Sequence, residues 1–468
     1  MAAPLSGKRR ALRGGAATEG RPYRFMADDP TPHLERFGSY ERACREFRWR
    51  IPDSFNIANS ILSRHPDAVT RAALVEVRPG GLNTYTYGGL DYLSDKFAMA
   101  LDDRGVGLRD SVAVILPQSA AAIIAQLGAL KLGTSVVPLS VTLEVSALAF
   151  ALKDSAPRAV VIDHTLRERL RSIGASVETV FVVEKLNPEF KDISPDFDFW
   201  REVFEASADF PLVETAADSP AFIFYNVAPE GRLVRTTHNH ASLIYQLPAF
   251  ELWNNFQAGE DSTFWTPQEW VSIDSSLGSV YPALWYGCRI VACDSLATDA
   301  APWSAIERCR VTNFFGNREE ISSLRQASPA SISSGEFKLR NIGCTGAVSA
   351  DDHDWANKSL GASINTVYCN PLTGSVASSC DSWFESRKGS LGRATPGYSI
   401  EIVDEQGRIL PPGSEGRLAI RRTDQRSQIE PPTDLTLASN FAEDWTISGD
   451  VGFKDEDGYI WLSRLSAR

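Results

Sequence analysis

The chain has no paired-cysteine pattern. Its seven cysteines, at 44, 288, 293, 309, 344, 369 and 380, are odd in number and scattered, and no C-x-x-C occurs. That excludes a disulfide framework and the usual zinc spacings, and it fits a reducing, cytoplasmic compartment. There is no excess of positive charge: the net charge is −12 over 468 residues, which argues against a general nucleic-acid or anionic-membrane surface. No uninterrupted apolar run reaches the length of a membrane span. The nearest, Val112 to Leu132, is broken by Pro117, Gln118, Gln126 and Lys131. The composition is 43% hydrophobic and 23% charged, that of a globular protein large enough for two to four domains or subdomains.

The first 25 residues differ from the rest. Lys8, Arg9, Arg10, Arg13, Arg21 and Arg24 face one acid, Glu19, and glycine and alanine abound. No apolar face recurs at helical spacing. A transit peptide, a disordered tail and a start at Met26 are the open readings, and residues 1–40 are set aside as tail. From residue 53 short apolar strands alternate with helices. A strand ends at Tyr85–Tyr87; Leu93, Phe97 and Leu101 recur at i, i+4, i+8 of a helix. Strands follow at 112–116, 135–139 and 159–162, with helices at 119–132 and 143–152 between them. This alternation predicts an α/β fold with a parallel sheet covered on both faces. From Gly389 hairpins and turns take over, predicting a small β-module.

One loop is short of the residues its position calls for. The apolar run Ala221–Tyr225 reads as a strand, and a helix is expected to open near His240. Between them a phosphate-binding loop would offer small residues, hydroxyls and a lysine. Here stand Asn226, Val227, Ala228, Pro229, Glu230, Gly231, Arg232, Leu233, Val234 and Arg235: one glycine, no hydroxyl, no lysine and an added carboxylate.

The segment Tyr225–Arg235, closing on His238-Asn239-His240, resembles the Y-T-S-G-T-T-G-x-P-K-G loop and H-T-H of AMP-forming acyl-CoA synthetases, an adenylating superfamily, and fits it without a gap. Tyr225, Gly231, His238 and His240 match; Val234 stands at the lysine position, and Arg232 or Arg235 is left to supply charge. Phe264–Trp270 followed by Pro282–Gly287 is similar to the W-T-P-x-D-W and P-A-L-x-x-G segments of the medium-chain and aromatic acyl-CoA synthetases. There they help wall the acyl pocket, which points to Trp265, Trp270 and His238. The turn Thr345-Gly346-Ala347 resembles one whose backbone faces adenine, and Tyr368 the tyrosine that packs on it. The family's α-phosphate threonine is Pro371, and its Mg²⁺ glutamate is Leu372, which has no oxygen ligand to offer. Trp445–Asp450 matches W-x-x-T-G-D, giving Asp450 the ribose hydroxyls, and Arg464 matches the arginine of the hinge motif.

The resemblance implies the large N-terminal domain of that fold: α/β subdomains at 41–217 and 218–388, a β-module at 389–468 ending at the hinge, and no C-terminal lid domain. It implies binding of ATP or AMP and of an acyl or adenylate ligand. It implies poor Mg²⁺ retention and leaves CoA binding in doubt without the lid. The family activates a carboxylic acid with ATP to acyl-AMP and then acyl-CoA. Losing one transition-state contact typically costs about 3–4 kcal/mol, so weak or no activity is expected from this chain alone, unless a partner chain supplies the lid. The alternative is a non-catalytic scaffold or regulatory partner of an active synthetase. No catalytic residue and no metal ligand is assigned.

Overall fold

The computed structural model describes residues 29–174, 177–184, 194–227, 231–293, 302–328, 337–423 and 445–464. The tail before Asp29, the loop centre Ala228–Glu230 and the hinge positions Ser466 and Ala467 lie outside them. The described residues form two large sheets with helices packed on them and one small sheet.

The first sheet has seven strands, in the spatial order Phe197–Asp198, Thr179–Val183, Ala159–Asp163, Ser111–Ile115, Ser135–Pro138, Pro220–Val227 and Leu233–Asn239. All neighbours are parallel except the last pair, a hairpin. The second has nine strands: Arg393–Ala394, Gly374–Ser378, Ser363–Asn370, Asn341–Thr345, Asn313–Asn317, Thr263–Trp265, Arg289–Ala292, Ala72–Arg78 and Gly81–Thr86. The third is antiparallel: Tyr398–Val403, Gly416–Arg422, Thr446–Lys454 and Ile460–Arg464. The two large sheets exchange strands along the chain. The early hairpin 72–86 joins the sheet built from residues 263–394, and the hairpin 220–239 closes the sheet begun at 111.

Two helices occupy the core. Ala120–Lys131 opens on Ser119, whose side chain accepts from the Ala122 N–H, and all twelve of its residues are buried. Its last residue, Lys131, donates to Asp91 Oδ1 at 2.5 Å and Asp95 Oδ1 at 2.8 Å, the pairing a buried ammonium requires. The helix Ser242–Trp253 is likewise buried throughout. Phe250 and Trp253 pack on Phe264 of the nine-stranded sheet, and Arg422 of the small sheet stacks on Tyr245 at 3.9 Å. This helix therefore touches the elements that frame the site.

Its C-terminal end rests in a buried amide network. Asn313 donates to Asn254 Oδ1 at 2.5 Å, Asn255 to Asn341 Oδ1 at 3.0 Å, and Asn341 to Gln257 Oε1 at 3.2 Å. Asn365 donates to the Trp253 carbonyl at 3.0 Å and accepts from Ser379 at 3.1 Å. Every amide in that set has a partner, as buried polar groups require.

Residues 29–40, grouped with the tail by composition, fold against this core. Glu251 accepts the N–H groups of His33 and Leu34 at 2.9 and 2.7 Å, and Trp285 donates to Thr31. Leu34 is fully buried. One apolar side chain and one buried carboxylate anchor a segment that its neighbours' charge had disguised.

Candidate functional site

The expected strand, loop and helix around residue 230 is instead a hairpin followed by the helix. Phe222 pairs with His238, Tyr225 with Arg235 and Val227 with Leu233. Leu233-Val234-Arg235-Thr236-Thr237 carries enough β-branched residues to extend as a strand. The helix Ser242–Trp253 starts only after it. Gly231, next to the tip, takes a left-handed φ of 79° and is exposed, as is Arg232.

Because successive strand residues face opposite sides, the hairpin splits the candidate residues. Arg235 shares a face with Tyr225 and lies 3.9 Å from Asp154, which accepts the Tyr225 hydroxyl at 2.6 Å. Burial and Asp154 hold that phenol up, in its neutral form. The other face carries Phe224, Thr236 and His238. His238 is buried, and desolvation pulls its pKa down to about 4. Its Nε2 faces the Pro371 carbonyl at 3.0 Å, so the neutral ring donates from Nε2. His240 accepts the Ile57 N–H at Nδ1, leaving its buried Nε2 without a partner, and its pKa falls to about 3.

His238 thus holds the turn that follows strand Ser363–Asn370. Gln246 of the buried helix holds the same turn: it accepts the Ser375 N–H at 2.6 Å and donates to the Thr373 carbonyl at 3.3 Å. Gly374 has φ 76°, and an added Cβ would sit 2.3 Å from the Gln246 amide, so only glycine fits. Asn370 Oδ1 accepts the Leu372 N–H. The residues of this turn fit a divalent cation poorly, since Leu372 has no donor atom and the Asn370 oxygen is engaged. Among the described residues no group of three or more His, Cys, Asp or Glu could hold a metal ion.

Three of the expected nucleoside residues do meet. Tyr368 donates to Asp450 Oδ2 at 2.7 Å, both side chains 1–2% exposed. Ala347 packs on the same cluster as Tyr368. Gly346, φ 95°, donates to the Val367 carbonyl at 3.1 Å, and Thr345 pairs with Val367. Asp450 is reached from the small sheet, where its neighbour Val451 pairs with the backbone of Arg464. The two tryptophans do not meet. Trp265 faces Phe314 on the outer side of its sheet. Trp270 lines a cavity of about 10 Å³ with Gln118, Gln126 and Pro138, room for one water. A groove of about 450 Å³ lined by Asp103, Arg104, Phe197 and Glu202 lies at the opposite edge of the seven-stranded sheet, away from all of these.

Sequence reasoning missed Gln246, whose signal was an amide in the middle of a largely apolar buried helix.

Two large α/β sheets and a small antiparallel sheet, joined by the Tyr368–Asp450 bond, make up the described fold. Residues 62–425 match the AMP-binding enzyme family, and the chain belongs to it. It is 24% identical over 473 residues to human acyl-coenzyme A synthetase ACSM3, mitochondrial, covering 93% of this chain and 76% of that protein. Among solved structures it is similar to an acyl-CoA synthetase from Brucella canis (TM-score 0.81, 21% identity, 92% of this chain and 80% of that one). It is also similar to the anthranilate CoA ligase AuaEII in complex with anthranoyl-AMP (TM-score 0.76, 18% identity, 88% and 78%). No described helix is long and apolar enough to cross a membrane.

Proposed function

We propose that this chain binds an acyl-adenylate, or AMP and a carboxylic acid, between the hairpin 220–239, the strand carrying Tyr368 and the strand carrying Asp450. The observation that carries this reading is the Tyr368–Asp450 hydrogen bond beside Ala347. A carboxylate acceptor suits ribose hydroxyls and a tyrosine ring suits a base. Here the tyrosine hydroxyl holds the carboxylate between ligands, so a nucleoside enters by replacing that bond.

Triphosphate chemistry is weak or lost in this reading. Phosphoryl and adenylyl transfer rest on positioned positive charge. Arg235 is turned toward Asp154, Leu372 offers no metal donor, and His238 is neutral at physiological pH. Its relatives by name are acyl-CoA and acetyl-CoA synthetases, so the ligand class is an activated carboxylic acid. A non-catalytic role beside an active synthetase is the second reading, favoured by the burial of both Tyr368 and Asp450.

Calorimetric titration with a non-hydrolysable acyl-adenylate mimic and, separately, with Mg·ATP tests both. Binding of the mimic without an ATP signal supports the first reading. Binding of both restores catalysis to the account. Binding of neither by folded protein rejects the ligand site.

A further inference from the structure

The loop that leaves strand Thr263–Trp265 of the nine-stranded sheet is tied to the seven-stranded sheet at two points. Gln118, just past strand Ser111–Ile115, donates to the Thr266 carbonyl at 2.9 Å and the Gln268 carbonyl at 2.5 Å. Its Oε1 accepts the Cys293 N–H at 3.1 Å. Glu269 accepts the Val141 N–H at 3.2 Å and the Ser140 hydroxyl, both just past strand Ser135–Pro138. Trp270 comes next in the loop and is 4% exposed. Its Nε1–H is buried and has no partner among the described residues.

Trp270 lines the cavity of about 10 Å³ together with Gln118, Gln126, Val114 and Pro138. Val114 and Pro138 are partners near the C-terminal ends of two parallel strands. Gln126, buried in helix Ala120–Lys131, spends its Oε1 on the Tyr281 hydroxyl at 2.9 Å. Its NH2 has no bond among the described residues. Gln118 Oε1 has two lone pairs and one bond from the protein. The space admits one water-sized molecule, so these three side chains share its occupant. Cavities that stay dry are apolar, whereas the wall of this one carries two amides and an indole.

We propose that one buried water occupies this cavity and bridges the two large sheets. It accepts from Trp270 Nε1–H and the Gln126 NH2, and donates to the second lone pair of Gln118 Oε1. Three such bonds are the usual complement of a buried water. The occupant must both accept and donate, which excludes an ammonium ion, with no lone pair, and a halide, with no proton. The water is then a third tie between the loop and the seven-stranded sheet, beside those of Gln118 and Glu269. It satisfies the indole N–H where the protein offers no acceptor, so Trp270 stays buried at the seam without that cost. The inference stands apart from the adenylate reading.

A crystal structure of the full chain, at a resolution that shows ordered solvent, is the first test. The expected result is a water about 2.8–3.2 Å from both Trp270 Nε1 and Gln126 Nε2. A dry cavity, or a Trp270 Nε1–H bonded directly to protein, overturns the proposal. The second test reads magnetisation transfer from water to the indole N–H groups of isotope-labelled tryptophan in solution. The Trp270 signal, assigned by its loss in Trp270→Phe, should show a cross-peak from a long-lived bound water. Gln126→Met should keep the indole signal, which reports that the variant folds, and lose most of that cross-peak. No cross-peak in the parent chain, or one that survives Gln126→Met at full strength, overturns the bridge. The crystallographic test needs no variant and stands if either fails to fold.

Discussion

The two sides of the helix Ser242–Trp253 are both polar and both buried, yet they are built differently. At its C-terminal end Asn254, Asn255, Asn313, Asn341 and Asn365 bond one another, Gln257, Ser379 and the Trp253 carbonyl. On the side that Gln246 faces, Thr373 and Ser375 keep hydroxyls without partners while the backbone around them is tied down. A fully paired network stabilises a fold and binds nothing more. An unpaired one costs stability, because each buried hydroxyl gives up its hydration without a replacement bond. Burial alone would class the two together; the state of their hydrogen bonds separates them.

The largest effect at neutral pH should come from breaking the paired side. Asn313→Leu strands the Asn254 amide oxygen and takes one acceptor from the Thr312 hydroxyl, which keeps its bonds to Thr263, and urea denaturation should report a loss of about 2 kcal/mol. If the loss is below about 1 kcal/mol, the network is not the anchor described.

Acid is the next probe. Burial puts His238 at about 4 in the fold against about 6.5 unfolded. Its neutral form is favoured by folding, so its contribution is complete above about pH 6.5. It falls as pH drops toward 4, because the unfolded chain takes the proton first, by roughly 3 kcal/mol in all. His65 and His240, at about 4 and about 3, act in the same sense. Glu251, raised to about 7 by burial, opposes them: it favours the fold at low pH and loses that contribution as pH rises from about 4.5 to 7. His238→Gln should flatten the stability slope between pH 4 and 6.5 by about one proton. An unchanged slope would mean the ring is not neutral in the fold.

Tyr368→Phe removes the hydroxyl from Asp450 but leaves the ring. A stability loss of about 1–2 kcal/mol is expected, with AMP affinity retained or raised, since the ring and carboxylate remain and no bond has to be broken to free Asp450. Loss of AMP binding along with the hydroxyl would put the hydroxyl itself in contact with the ligand. The smallest effect closes the comparison: Ser375→Ala gives up no existing bond and should leave stability within about 0.5 kcal/mol or raise it. A loss above 1 kcal/mol would reveal a partner for that hydroxyl and remove the contrast.

Much of the fold was legible because local pattern and tertiary packing agree. The strand read at 112–116 is Ser111–Ile115, and the helix read at 119–132 is Ala120–Lys131, followed by Gly133 at φ 78°. The hairpin at 220–239 was not legible, because Pro229 and Gly231 punctuate it like a loop, and the β-branched run after them is too short to mark a strand by itself. Motif spacing could single out Tyr368 and Asp450 separately. Their hydrogen bond spans 82 positions, and only the packing of two sheets brings them together. Trp265 and Trp270 carried the same weight in sequence, but strand alternation turns the first outward. The unpaired hydroxyls were illegible in principle, since a serine's partners are set by tertiary neighbours.

Hydrogen–deuterium exchange of the full chain, with and without the acyl-adenylate mimic, addresses the central claim most directly. The account predicts changed protection concentrated in 363–378 and 446–454, where a ligand must part Tyr368 from Asp450. Binding that alters exchange elsewhere and leaves both segments unchanged would contradict it.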